Sequence, residues 1–325
     1  MNRPDMRLRV GRALTMPGFY ARRERVLAAT RNAGPTARMF GRMILLAIAS
    51  VAVAFVTPAA AQSRRCNATD GGDWRGAAFA NTVSIYSMEW APFGSEEWGW
   101  EAYLPMIQEE LGTRCAPGTE RFAQALAGFQ AAHGLPSAGG FDAATFQAFR
   151  GVWQERRPFV MARVRGECPD PPRIRDLGYL VEEEEHADRL TRLLRRDVLE
   201  AYRRMVAQAR RDEPLLAANP ELLQIFSGFR DPEADAARCA AQNNCDGVRR
   251  AVCSPHRTGT AVDLYVGQVA GLGVDNTSAP SRLFMTRGVA YRWLVRNAHR
   301  YGFVPYVFEP WHWEYVGSYE SAQTP

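Results

Sequence analysis

The chain has 325 residues, 46% hydrophobic and 23% charged, a globular balance that excludes a wholly disordered or fibrous protein and leaves room for two domains. Its formal charge of +5 is unevenly placed: residues 1–42 hold ten arginines against Asp5 and Glu24, a net of +8, so the remainder carries −3. Beyond those first residues no basic surface for nucleic acid is left, and a nucleic-acid partner is excluded.

Residues 1–61 read as a leader. Arg38 and Arg42 precede an apolar run from Ile44 to Val56, and Pro58-Ala59-Ala60-Ala61 supplies the small residues of a cleavage site, so cleavage is expected after Ala61. A start at Met39 or Met43 would give a more usual signal length. The apolar run is shorter than the roughly 20 residues of a membrane span, so no stable span is expected after cleavage and the protein is expected in the periplasm or outside the cell. All six cysteines (Cys66, Cys115, Cys168, Cys239, Cys245, Cys253) follow the leader. An even count in an exported chain without any C-x-x-C pair predicts disulfides, with Cys239 and Cys245 near enough to close a small loop.

Residues 62–85 are polar and glycine-bearing and read as a loose start. Residues 86–157 read as a small helical domain. Tyr103, Ile107 and Leu111 recur at helical spacing, as do Phe122, Leu126 and Phe129; Asp142 caps a third helix bearing Phe146, Phe149 and Trp153. The prolines of 158–175 predict a linker, and 176–319 a second domain. There a helix is expected over about 188–210, with Leu190, Leu193, Leu194, Val198, Tyr202 and Met205 as its buried stripe. Strands are expected in Leu222–Phe229, Thr260–Val266, Phe303–Val307 and Trp311–Val316, and a helix over Arg287–Arg300. The fold class is therefore α+β, a mostly antiparallel sheet with packed helices after a small three-helix domain.

Two short segments hold two of the chain's five histidines: Ser254-Pro255-His256 with Gly259, Ala261 and Asp263, and, about fifty residues on, Glu309-Pro310-Trp311-His312. His256, Asp263 and His312 make a ligand set for catalytic zinc, with an open position for water and a carboxylate to take its proton. On a strand Asp263 faces away from Val262, Leu264 and Val266 and needs a partner there. Gly259 lets the chain bend so that His256 can reach it. Pro310 places Glu309 on the preceding loop, free to turn inward; by spacing alone Glu309 and Glu314 are both candidate bases.

The pattern S-x-H-x-x-G-x-A-x-D followed by E-P-W-H-W-x-Y-V-G, with Ser227-Gly228-Phe229-Arg230 and Trp293–Phe303, resembles the VanY-type D-alanyl-D-alanine carboxypeptidases over roughly residues 175–318. These are zinc peptidases that share a fold with D-Ala-D-Ala dipeptidases and the hedgehog signalling domain. The resemblance implies Zn2+ on His256, Asp263 and His312, and Glu309 rather than Glu314 as general base. It implies that Arg230 stabilises the oxyanion or holds substrate, with Ser254 lining the site. Trp311, with Trp313 and Tyr315, reads as core or site wall, and Trp311 is the candidate among them for substrate contact. Glu314, where relatives often carry a basic residue, departs from the pattern, as does the segment 231–235. Phe122–Arg150 resembles a three-helix peptidoglycan-binding domain. The expected function is removal of terminal D-alanine from peptidoglycan stem peptides, with an endopeptidase, a dipeptidase or a non-catalytic zinc-stabilised wall-binding module as alternatives.

Overall fold

In the computed structural model the described residues are 65–317 apart from 68, 188–191, 242 and 244–252, all within the unit Phe55–Pro325. The leader and the Cys239–Cys245 loop closure fall wholly or partly outside them. Among the described residues no helix is long and apolar enough to cross a membrane.

The helical part begins earlier than its sequence suggests. Helix α1 spans Arg75–Ser87, where a loose start is expected. Its apolar residues lie on opposite sides: Ala78 and Ile85 are buried, whereas Phe79, Val83 and Tyr86 are exposed, so no single-faced stripe marks the helix. A short hairpin, β1 (Glu89–Trp90) with β2 (Glu97–Trp98), follows. Helices α2 (Leu104–Glu110), α3 (Glu120–Ala132) and α4 (Ala143–Glu155) come next. Thr119 caps α3 and Asp142 caps α4, the latter accepting from Thr145 N at 2.7 Å. The glycine-rich turn before α4 is pinned by buried amides. Asn81 of α1 donates to Gly139 O at 2.9 Å and accepts from Phe141 N at 2.8 Å, and Gln130 of α3 donates to Gly140 O at 2.8 Å. Buried polar groups so satisfied fix one loop conformation.

The expected linker is partly a helix, α5 (Pro158–Val164), with Pro158 at its first turn and Phe159 and Ala162 buried. Proline at that position lacks only an N–H the helix would not use, so it begins an element here instead of breaking one. Of the helix expected over about 188–210, residues 188–191, Leu190 among them, lie outside the described residues. Strand β3 (Leu177–Tyr179) runs antiparallel to β4 (Leu193–Arg195), which takes part of that range, and helix α6 covers Arg196–Asp212. Leu193 and Leu194 suit the helical stripe and a short strand equally, and pairing with β3 decides between them.

After α7 (Pro214–Ala218), strand β5 (Ile225–Ser227) and helix α8 (Pro232–Ala241) come β6 (Ala261–Leu264), helices α9 (Ala279–Arg287) and α10 (Val289–Asn297), and strands β7 (Phe303–Tyr306) and β8 (Glu309–Tyr315). The antiparallel sheet runs β5-β6-β8-β7. Val262 pairs with Trp313 on the core face, whereas Asp263 pairs with His312 on the other. Behind the core face lie Val198, Tyr202 and Met205 of α6 and Ala290 and Leu294 of α10, all buried. The helical part shares this core, since Trp100, Tyr103 and Phe146 belong to the same hydrophobic cluster as Trp313.

The contact between the two parts is also ionic. Arg282 of α9, 2% exposed, donates to Tyr103 Oη at 2.8 Å and pairs with Glu97 of β2, whose Oε2 accepts from Tyr103 at 2.5 Å. Replacing Arg282 by methionine leaves the Glu97 carboxylate buried without its cation, a loss of about 3–5 kcal/mol for comparable buried pairs. Urea unfolding is expected to show a drop of that size; a loss under about 1 kcal/mol would mean the cluster contributes little.

Candidate metal centre

His256 reaches the sheet from a tight turn. The Cys168–Cys253 disulfide fixes the chain just before it, and Ser254 caps the 3-10 turn Pro255–Thr258 through its hydroxyl. Gly259 ends the turn with φ 68°, and a Cβ there would come within 3.2–3.3 Å of Arg195 and Leu177. Only glycine takes that backbone conformation so close to its neighbours at little cost. The bend carries His256 to the same face as Asp263, as the sequence implies.

Three donor groups meet there. His312 Nδ1 lies 2.9 Å from Asp263 Oδ1, His256 Nε2 lies 3.2 Å from Asp263 Oδ2, and the two ring nitrogens are 3.3 Å apart. All three residues are buried. The opposite nitrogen of each ring is held as well: His256 Nδ1 contacts Gly228 O at 2.8 Å, and His312 Nε2 contacts Glu314 Oε1 at 3.2 Å. Such outer partners fix the tautomer and leave the inner nitrogens, His256 Nε2 and His312 Nδ1, free to bind.

The electrostatics follow from burial and these contacts. Burial lowers His256, helped by the charge of Arg230. For Asp263, burial acts upward, but His256 and then His312 outweigh it and hold the carboxyl well below the usual range. Burial would also lower His312, yet its hydrogen bonds to Asp263 and Glu314 push it up to about 9. Glu314 falls to about 2, because Arg157 and His312 overcome the upward effect of burial. A buried, anionic aspartate between two imidazoles is the charge pattern a divalent cation satisfies.

Glu309 stands beside this set, its Oε2 3.9 Å from His312 Nδ1 and its side chain 31% exposed. It opens strand β8 instead of lying on the preceding loop; a register shift between Pro305 and Tyr306 lets it pair with Tyr306 and still turn toward His312. Burial raises its carboxyl above the ordinary value, with Asp263 adding to the rise and His312 opposing it. Arg230 donates through Nη2 to Ser254 Oγ at 2.8 Å and lies 3.5 Å from Asp235, so both residues border the His256 turn. Trp311 is not brought to the site. It is 3% exposed and belongs to the core, on the face of β8 opposite His312, as strand alternation requires. Glu314 faces the site but is engaged with Arg157 and His312. Of the remaining histidines, His186 is buried and stacks on Tyr265 with centroids 4.2 Å apart. A cavity of about 640 Å³ opens elsewhere, between Trp153, Phe303 and Trp313.

Residues 191–318 match the VanY family, described as D-alanyl-D-alanine carboxypeptidase. Residues 191–318 are a VanY-type carboxypeptidase domain. Among solved structures, an LdcB LD-carboxypeptidase, whose report concerns the molecular basis of peptidoglycan recognition, matches with 21% identity and a TM-score of 0.34, covering 47% of this chain and 72% of its own. No curated protein matches the chain.

In this VanY-type domain the donor set fits a divalent metal, with two imidazole nitrogens and a carboxylate oxygen mutually within 4.8 Å. Arg230 borders it beside the His256 turn. If Arg230 donates to a developing oxyanion, replacing it by alanine lowers kcat/KM about 10²–10³-fold, the usual cost of removing one such donor. A decrease below about threefold would assign Arg230 to structure alone.

Proposed function

We propose that the VanY-type domain is a zinc-dependent peptidase that removes the terminal D-alanine from peptidoglycan stem peptides outside the cytoplasmic membrane. The observation that carries this reading is the convergence of His256 Nε2, Asp263 and His312 Nδ1 with Glu309 Oε2 3.9 Å from the last of these. A structural metal site has no need of a partly exposed carboxylate beside its three ligands; a hydrolytic one does. The match of residues 191–318 supports the peptide class, and the leader pattern supports export.

His256, Asp263 and His312 would hold the zinc, which supplies a Lewis acid and lowers the pKa of bound water toward about 7. Glu309 takes the proton of the attacking water as the water oxygen bonds to the carbonyl carbon of the D-alanyl-D-alanine bond. Arg230 donates to the oxygen that gains charge. Glu309 then returns the proton to the leaving amine as the C–N bond breaks, releasing D-alanine and a shortened stem. The helical part that resembles a peptidoglycan-binding domain would hold the wall polymer and raise its concentration near the site.

The test is incubation of the purified, zinc-loaded protein with a defined pentapeptide muropeptide, followed by mass spectrometry. Loss of one alanine is the expected product. Release of D-Ala-D-Ala would make the domain a dipeptidase, and cleavage confined to cross-linked dimers an endopeptidase. Intact substrate in every case would leave a zinc-stabilised wall-binding module.

A further inference from the structure

Glu314 reaches the metal centre carrying a partner from the other part of the molecule. Arg157 lies between α4 and α5 and is 6% exposed. It donates to Glu314 Oε1 through Nε at 3.0 Å and Nη2 at 2.5 Å, and to Gln154 Oε1 through Nη1 at 2.6 Å. Its guanidinium also lies over the Tyr306 ring, 4.2 Å from the centroid, and that ring meets His312 edge-on at 5.9 Å. The guanidinium is therefore held on an edge by Glu314, on another by Gln154 and across its face by Tyr306. The carboxylate it grips in turn contacts His312 Nε2 at 3.2 Å.

We propose that Arg157 is a positioning residue of the metal centre: through Glu314 it fixes the ring of His312 with its proton on Nε2, so that Nδ1 faces the metal. The helical part then does more than bind wall polymer. Through a glutamate 157 positions away in sequence it completes the outer shell of a ligand on β8. Glu314, the departure from the family pattern, and the buried arginine that meets it form one device. A rigid outer shell of this kind usually contributes about 10–100-fold in metal affinity. Arginine suits the task because its planar fork can grip one carboxylate with two donors while its face stacks on an aromatic ring, which lysine cannot do.

This inference rests on His312 being a metal ligand, and its test separates the two. Zinc affinity of the full chain is measured by competition with a chromophoric chelator, alongside the absorption spectrum of the cobalt-substituted protein. Wild type, H312A, R157Q, R157K, E314Q and R157Q/E314Q are compared, with circular dichroism and thermal melting to verify folding. Wild type is expected to bind one zinc and H312A to lose it. R157Q and E314Q are each expected to bind about 10–100-fold more weakly with an altered cobalt spectrum, and R157K to recover only part of the loss. The double variant is expected to be no weaker than the worse single one, because both act through one contact. If R157Q does not fold, R157K, which keeps the charge, and E314Q, which keeps the size, carry the test. Wild-type affinity and spectrum in the folded arginine and glutamate variants would overturn the role of Arg157 and leave the ligand set standing. A wild type that binds no metal, or an H312A variant that binds it unchanged, would overturn the ligand set and this inference with it.

Discussion

Replacing Glu309 by glutamine is expected to lower kcat by about 10²–10⁴-fold, the range a positioned general base supplies. The variant keeps the size and hydrogen-bonding outline of the side chain but cannot accept the water proton. Because Glu309 is 31% exposed and lies 3.9 Å from His312 Nδ1, stability should change by no more than about 0.5 kcal/mol. Zinc affinity should change little, since Glu309 stands outside the trio of donors. This combination of lost turnover with retained fold and metal distinguishes a base from a ligand. Steady-state kinetics on the pentapeptide, with metal analysis of the same samples, measure it. Activity above about a tenth of wild type would remove Glu309 from the role and return attention to Glu314.

Removing the metal is the second large effect. Dialysis against a chelator is expected to bring activity to background and zinc to restore it, because without a Lewis acid the attacking water keeps a pKa near 15.7 instead of about 7. The fold should register the loss as well. Asp263 lies between two histidines in a buried site, and a ligand that binds the folded chain alone stabilises it by about 4 kcal/mol at a thousandfold excess over Kd. The melting temperature is thus expected to fall on chelation and to recover with zinc. Turnover and melting indifferent to chelator would contradict a metal-dependent site.

The face that carries the site was legible before the structure because strand alternation makes a strong demand. Val262 and Leu264 require the core, so Asp263 must face away from it, and the same rule sets His312 opposite Trp313. Register added what spacing lacks, by placing Asp263 directly against His312. The same alternation decides Trp311, for which the sequence leaves core and site wall both open, in favour of the core. The elements at the join between the two parts were less legible. Helix α1 has no single apolar face, α5 begins with a proline that reads as a break, and β4 shares its leucines with a helical stripe. Arg157 left no local signal at all, because its meaning depends on a contact 157 positions away. The glutamate it meets stands out in the sequence as a candidate base and as a departure from the family pattern, not as the partner of an arginine.

The most direct test of the centre is anomalous diffraction at the zinc edge from crystals of the zinc-loaded protein. One peak is expected, about 2.0–2.2 Å from His256 Nε2, an Asp263 oxygen and His312 Nδ1, with Glu309 outside that shell. No peak between these residues, or a peak ligated by Glu309 in place of one of the three, would contradict it.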